Sequence, residues 1–88
     1  MGEPRDLPGV EELTVFGYDW CDDTTASRGW LTARGVPFRY VDMDADEAAK
    51  AAVQRAGYTA TPTIVTPAGA VVVEPSEAEL EALVATLR

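Results

Sequence analysis

Residues 13–35 read LTVFGYDWCDDTTASRGWLTARG, and the spacing of the apolar residues changes part-way along them. Leu13 to Tyr18 is a near-continuous run of β-branched and aromatic residues, as suits a central strand covered on both faces. Gly17 inside that run marks a place where a neighbouring group comes close to the backbone. After Trp20 and Cys21 the period lengthens. Ala26, Trp30 and Ala33 fall at i, i+4 and i+7 and predict the packed face of a helix, with Trp30 in the core and an end at Gly35 and Pro37. A strand, a turn at Cys21 and a helix open an α/β domain.

Outward from this stretch the pattern continues. Pro37 to Asp42 alternates Phe38 and Tyr40 with Arg39 and Val41 and reads as a second strand. Asp44 and Glu47 have capping-box spacing ahead of an alanine-rich helix, Glu47 to Ala56, whose Ala49, Ala52, Val53 and Ala56 share a face before Gly57. Thr63–Thr66 and Val71–Glu74 are short apolar runs joined by Pro67-Ala-Gly-Ala70, which predicts an antiparallel hairpin. Ser76 and Glu79 form a second capping box, opening a helix striped by Leu80, Leu83, Val84 and Leu87. The order β-α-β-α-β-β-α predicts an α/β fold. Its four-stranded mixed sheet carries three helices on its two faces, and a right-handed crossover makes the first two strands parallel neighbours. Residues 1–12, with Pro4, Pro8 and Gly9 among charges, read as an extended lead-in to a single domain over 13–88.

The chain has 88 residues, which suits one domain with a modest core. Fifteen acidic against seven basic residues give a net charge of −8, and histidine is absent. That balance argues against nucleic acid, whose binding needs clustered cations. No apolar run reaches the roughly 18 residues of a membrane span, and MGEPRDLPG lacks a basic and apolar leader pattern, so the expectation is a cytoplasmic monomer. One cysteine makes no internal disulfide, and without histidine no zinc ligand set exists, so no metal is expected.

Cys21 is the residue with chemistry. It stands at the carboxyl end of a strand and the start of a helix, where open α/β sheets place their sites and where free N–H groups and the helix dipole stabilise a thiolate. A buried, inert cysteine is the alternative, expected inside an element rather than at such a turn. Asp22 and Asp23 favour the helix as first-turn acids yet oppose ionisation of the thiol as neighbouring anions. Thr24, one turn on, has a hydroxyl that either donates to the sulfur or bonds backbone. Thr61-Pro62 precedes a strand, and on residue statistics alone its peptide is trans.

Taken together, TVFGYDWCDDT, VPFRYVDMDAD and TATPTIV, in this order and spacing, resemble the glutaredoxin branch of the thioredoxin-like superfamily over about Leu13 to Leu87. Among its members the sequence is most similar to small actinobacterial and mycoredoxin-like proteins. The resemblance implies a thioredoxin-like fold, Cys21 as attacking nucleophile and a cis Pro62 that brings the Thr61 backbone beside the sulfur. It also implies Tyr18 and Trp20 as walls of a substrate groove. Thr24 stands where dithiol members have their second cysteine, which leaves a monothiol cycle on mixed disulfides between proteins and a low-molecular-weight thiol.

Three departures shape the expectation further. CDDT replaces the CGFS of cluster-carrying monothiol glutaredoxins, so no cofactor is expected. Tyr18 stands where many members have a lysine, and Glu74-Pro75-Ser76 replaces their Gly-Gly and acid. Glutathione, mycothiol and bacillithiol all remain open as the thiol. Because the second cysteine is missing, an alternative is a thioredoxin-fold binding or regulatory module without redox turnover.

Overall fold

The computed structural model describes residues 10–87. The strand in the opening stretch forms as β1 (Thr14–Gly17), and α1 (Asp22–Ala33) follows it. β2 (Arg39–Asp42), α2 (Glu47–Arg55), β3 (Thr63–Val65), β4 (Val71–Val73) and α3 (Glu77–Ala85) complete the chain order. The four-stranded sheet runs β2-β1-β3-β4, with β1 and β2 parallel and β3 antiparallel to both β1 and β4. This is the mixed sheet and element order that the patterning predicts. Most of the lead-in read over 1–12 lies outside the described residues, and Val10 within it packs against the core.

The register separates two cores. Tyr40, Val15, Ile64 and Val72 are paired in one row across the sheet and face α1 and α3, joining Leu13, Leu31, Leu80 and Leu83. On the other face Val65 and Phe16 pack with Met43, Val53 and Ala56, against α2. β1 and β3 are thus covered on both sides, which is why their residues read as continuous apolar runs. Each fully buried Leu, Ile or Val among them contributes about 1.5–3 kcal/mol.

Four local readings are corrected. α1 buries Thr24, Ser27 and Leu31 rather than Ala26 and Ala33, which are exposed. Trp30 is half-buried at the edge of the core, with the Arg34 guanidinium 3.9 Å from its ring centre and its Nε1 buried without a partner. The N-cap of α2 is Asp46, whose carboxylate accepts from the Ala49 amide, while Asp44 belongs to the turn before it and donates its amide to Asp42. Leu87 lies beyond the end of α3 and is exposed, so the stripe that docks is Leu80, Leu83 and Val84. The capping box at Ser76 and Glu79 forms in full.

Candidate functional site around Cys21

Cys21 is the N-cap residue of α1, in extended conformation, with its carbonyl accepting the first intrahelical bond from Thr25 at 3.0 Å. An N-cap side chain normally supplies an acceptor oxygen to the amides of the second and third helical residues, here Asp23 and Thr24. The neutral thiol makes no such bond. A thiolate in its place takes over the acceptor role, and this couples ionisation of the sulfur to completion of the helix cap.

Gly17 fixes how α1 meets the sheet. A Cβ there would lie 3.0 Å or closer to the Cβ, Oγ1 and Cγ2 of Thr24, so the missing side chain lets the first turn of α1 press onto the end of β1. Thr24 is fully buried in this contact, and its Oγ1 has no hydrogen-bond partner. The Cys21 sulfur is within its reach, and a thiolate there takes the bond that this hydroxyl otherwise lacks.

The second wall comes from 40 residues further along the chain. The Thr61 hydroxyl donates to Cys21 Sγ at 3.1 Å, and the thiol lies 3.8 Å from the Thr61 carbonyl, to which it donates weakly. The Thr61–Pro62 peptide is cis, as the resemblance implies and residue statistics do not. Partial burial pushes the Cys21 thiol up, but hydrogen bonding outweighs it. The Thr24 and Thr61 hydroxyls and the Thr24 and Asp23 amides together hold its pKa below the ordinary thiol value. Asp22 and Asp23 are exposed to solvent, which screens their charge.

Tyr18 and Trp20 stack with ring centres 4.7 Å apart and planes 17° from parallel. Trp20 is 69% exposed, and its indole N–H donates to Asp44 at 2.8 Å. The six candidate residues Tyr18, Trp20, Cys21, Thr24, Thr61 and Pro62 thus come from two segments, the β1–α1 junction and the start of β3, which the antiparallel pairing of Phe16 with Thr63 brings together.

Neighbours that the sequence reading did not single out hold this junction. Tyr40 on β2 donates its hydroxyl to Asp19 at 2.8 Å, and the Arg28 guanidinium lies 3.6 Å from the Tyr40 ring centre and 3.7 Å from the Asp19 carboxylate. Burial, the bond to Asp19 and the carboxylates of Asp19 and Asp42 push the Tyr40 phenol far above its usual range, so it stays a donor. Lys50 on α2 places its ammonium 5.7 Å from the Tyr18 ring centre. None of these contacts has a local sequence signal, since each joins residues from different elements. A concavity of about 480 Å³ between the 10–12 segment, β1, β2 and α2 contains none of the residues around Cys21.

A thiol at a helix N-cap, beside a threonine and a cis proline that precede a strand, is the decisive constellation. The sequence model of the glutaredoxin family, Glutaredoxin, matches residues 13–69, more than half of the chain. The chain belongs to the glutaredoxin family. Among curated proteins no relative matches the sequence. Among solved structures the thioredoxin-like protein BC3987 is similar, with 23% identity and a TM-score of 0.73 over 82% of this chain and 99% of that one. A point mutant of that protein gives 21% identity and a TM-score of 0.76 over 85% and 96% of the two chains. At these identities the likeness speaks for the thioredoxin-like fold alone. Membership of the glutaredoxin family supports a function of the thiol–disulfide oxidoreductase kind, and that family acts on thiols and protein mixed disulfides. Among the described residues, no helix is long and apolar enough to cross a membrane.

Proposed function

We propose that this glutaredoxin is a monothiol oxidoreductase that reduces mixed disulfides between proteins and a low-molecular-weight thiol, with Cys21 as nucleophile. The observation that carries the reading is the sulfur's position at the N-cap of α1, with the Thr61 hydroxyl donating to it at 3.1 Å. These donors are fixed before reaction and favour the thiolate, the attacking species.

In the first step the Cys21 thiolate attacks the sulfur of the small thiol in the mixed disulfide. A bond forms between Cys21 and the small thiol, and the protein substrate leaves as its thiolate, which takes a proton from water. In the second step the thiolate of another small-thiol molecule attacks that small-thiol sulfur. Their disulfide is released, and the Cys21 thiolate is restored. The net result is an exchange in which the protein's sulfur leaves as a thiol and one incoming small thiol takes its place in the small-thiol disulfide, which an external reductant then returns to two thiols. The cycle uses no cofactor, and Thr24, standing where a resolving cysteine would be, contributes a hydroxyl instead. In this reading Thr61, whose hydroxyl touches the sulfur, and the cis Pro62 after it form one wall for the disulfide, and the stacked Tyr18 and Trp20 form the other. We place the protein in the cytoplasm, as a monomer, where thiols stay reduced.

The test is turnover of a peptide mixed disulfide with a low-molecular-weight thiol and its reductase, followed by mass spectrometry of the protein. The wild type gives one adduct of the small thiol on Cys21, and Cys21→Ser gives neither adduct nor turnover. Turnover by Cys21→Ser overturns the proposal. Partner binding by Cys21→Ala, without turnover in the wild type, replaces it with a binding module of the same fold.

A further inference from the structure

The Cys21 end of the molecule is acidic for a topological reason. β1 and β2 end there at Gly17 and Asp42, β3 starts there with Thr63 opposite Phe16, and β4 ends there with Val73 opposite Thr63. All three helices therefore begin at this end. Each carries acid in its first turn: Asp22 and Asp23 in α1, Glu47 in α2, Glu77 and Glu79 in α3. The helix dipole favours acid at those places. Arg34 at the C-cap of α1, Arg39 at the start of β2 and Arg55 in the last turn of α2 stand at the opposite end. Among the described residues, two cations reach toward the site. Arg28 is engaged with Asp19 and Tyr40, and Lys50 lies by Tyr18.

Trp20 sits within this field, 69% exposed, stacked on Tyr18 and tied to Asp44. A large aromatic surface left in water and already held in one orientation is suited to anchor a partner, since it loses little freedom when covered. Asp44 and Glu47 line a concavity of about 420 Å³ on its α2 side, where Lys50 offsets one of their two charges. Beyond the start of α1, Asp23, Glu74 and Glu77 line a second one of about 140 Å³.

We infer, resting on the oxidoreductase reading, that the protein substrate is a cysteine-bearing segment with lysine or arginine close to its cysteine, laid over Trp20 with its cations against these two acidic flanks. Charge complementarity selects this occupant. An acidic segment would bring like charge to a surface that already holds carboxylates and the thiolate, and a nucleic acid or an anionic membrane would meet the same repulsion.

The experiment uses reduced wild-type protein in single turnover with three peptides. Each carries one cysteine capped by 2-mercaptoethanol, a neutral thiol, and flanked by lysines, serines or glutamates. The lysine peptide reacts fastest and the glutamate peptide slowest, with lysine about tenfold ahead of serine at about 20 mM salt and about twofold ahead at about 0.5 M. The paired variants Asp44→Asn with Glu47→Gln, and Glu74→Gln with Glu77→Gln, each lower the lysine-to-serine ratio at least twofold. Because the ratio is taken within one protein, a change in its thiol or its fold cancels. Equal rates for all three peptides at low salt, or glutamate fastest, overturn the inference and leave the oxidoreductase reading standing. If no peptide is reduced, that reading fails instead. The charge preference is then measured as binding of the same sequences, with serine for cysteine, to the Cys21→Ser protein by tryptophan fluorescence. Binding of the lysine peptide about tenfold tighter than the glutamate peptide at low salt supports the inference, and equal binding overturns it.

Discussion

At Cys21 two short-range effects compete, burial against hydrogen bonding, and the donors prevail. The pH dependence of alkylation tests this, with a midpoint expected below the free-thiol value of about 8.5. Thr61→Val keeps the shape of the side chain and removes the donor at 3.1 Å, so the midpoint moves up and alkylation at neutral pH slows by about three- to tenfold. A Thr61→Val midpoint identical to wild type would show that the bond has no bearing on the thiolate. The depressed pKa also makes a stability statement. Folding favours the thiolate, so the contribution is fully present above the unfolded-state pKa and is lost as pH falls through the folded one. The stability difference between wild type and Cys21→Ser, from urea unfolding, therefore moves in favour of wild type as pH rises through that window, and a pH-independent difference contradicts the coupling. The position of Cys21 at a strand–helix turn was legible locally. Its partner Thr61 was not, because a contact across 40 residues leaves no periodicity in the chain and came only through resemblance to a family.

The cap of α3 and the buried face of α1 show which signals within an element can be read from the chain. Ser76 and Glu79 satisfy each other's backbone amides within one turn, so their spacing alone specifies the cap of α3. Ser76→Ala is expected to cost about 1 kcal/mol, seen as a lower urea midpoint with an unchanged slope. α1 shows the opposite case. Its apolar residues Ala26, Trp30 and Ala33 suggested one face, yet the helix buries Thr24, Ser27 and Leu31, with Thr24 pressed onto Gly17 and Leu31 in the core. Gly17→Ala tests that contact. The added methyl group meets Thr24 and forces the start of α1 away from β1, at a cost of about 1–3 kcal/mol, and Cys21 alkylation slows because the amides and Thr61 no longer converge on the sulfur. Gly29→Ala is the control, since a Cβ there meets nothing within 4 Å. Equal stability of the two variants sinks the close-approach account. The capping box read at Asp44 and Glu47 failed for a related reason. The Asp42 carboxylate holds the Asp44 amide in a turn, and the N-cap falls two residues later at Asp46.

Across the whole molecule, the same arrangement that gives the thiol its donors also surrounds it with carboxylates, and the two act over different distances. Hydrogen bonds from Asp23, Thr24 and Thr61 act at contact, whereas the net charge of −8 acts through solvent. At about 0.01 M salt the Debye length is about 30 Å, so nearly every charge in a molecule whose longest dimension is 33 Å contributes at Cys21. At about 0.15 M it is about 8 Å, and only the nearest carboxylates remain. Two alkylating reagents separate these regimes. Neutral iodoacetamide reports the thiolate fraction and access, whereas anionic iodoacetate adds the cost of bringing a negative charge to the acidic end. The ratio of the iodoacetate rate to the iodoacetamide rate is expected to be about tenfold lower for Cys21 than for a free cysteine peptide at low salt, and to approach the peptide's ratio as salt rises. Asp44→Asn with Glu47→Gln raises the low-salt ratio, as does Glu74→Gln with Glu77→Gln, because each pair removes two of the carboxylates that line the flanking concavities. A ratio equal to that of the free peptide at low salt means that Lys50 and Arg28 neutralise the field at the sulfur. The fast reaction of the thiolate would then carry no discrimination by charge, and its choice of partner would rest on the Trp20 surface alone.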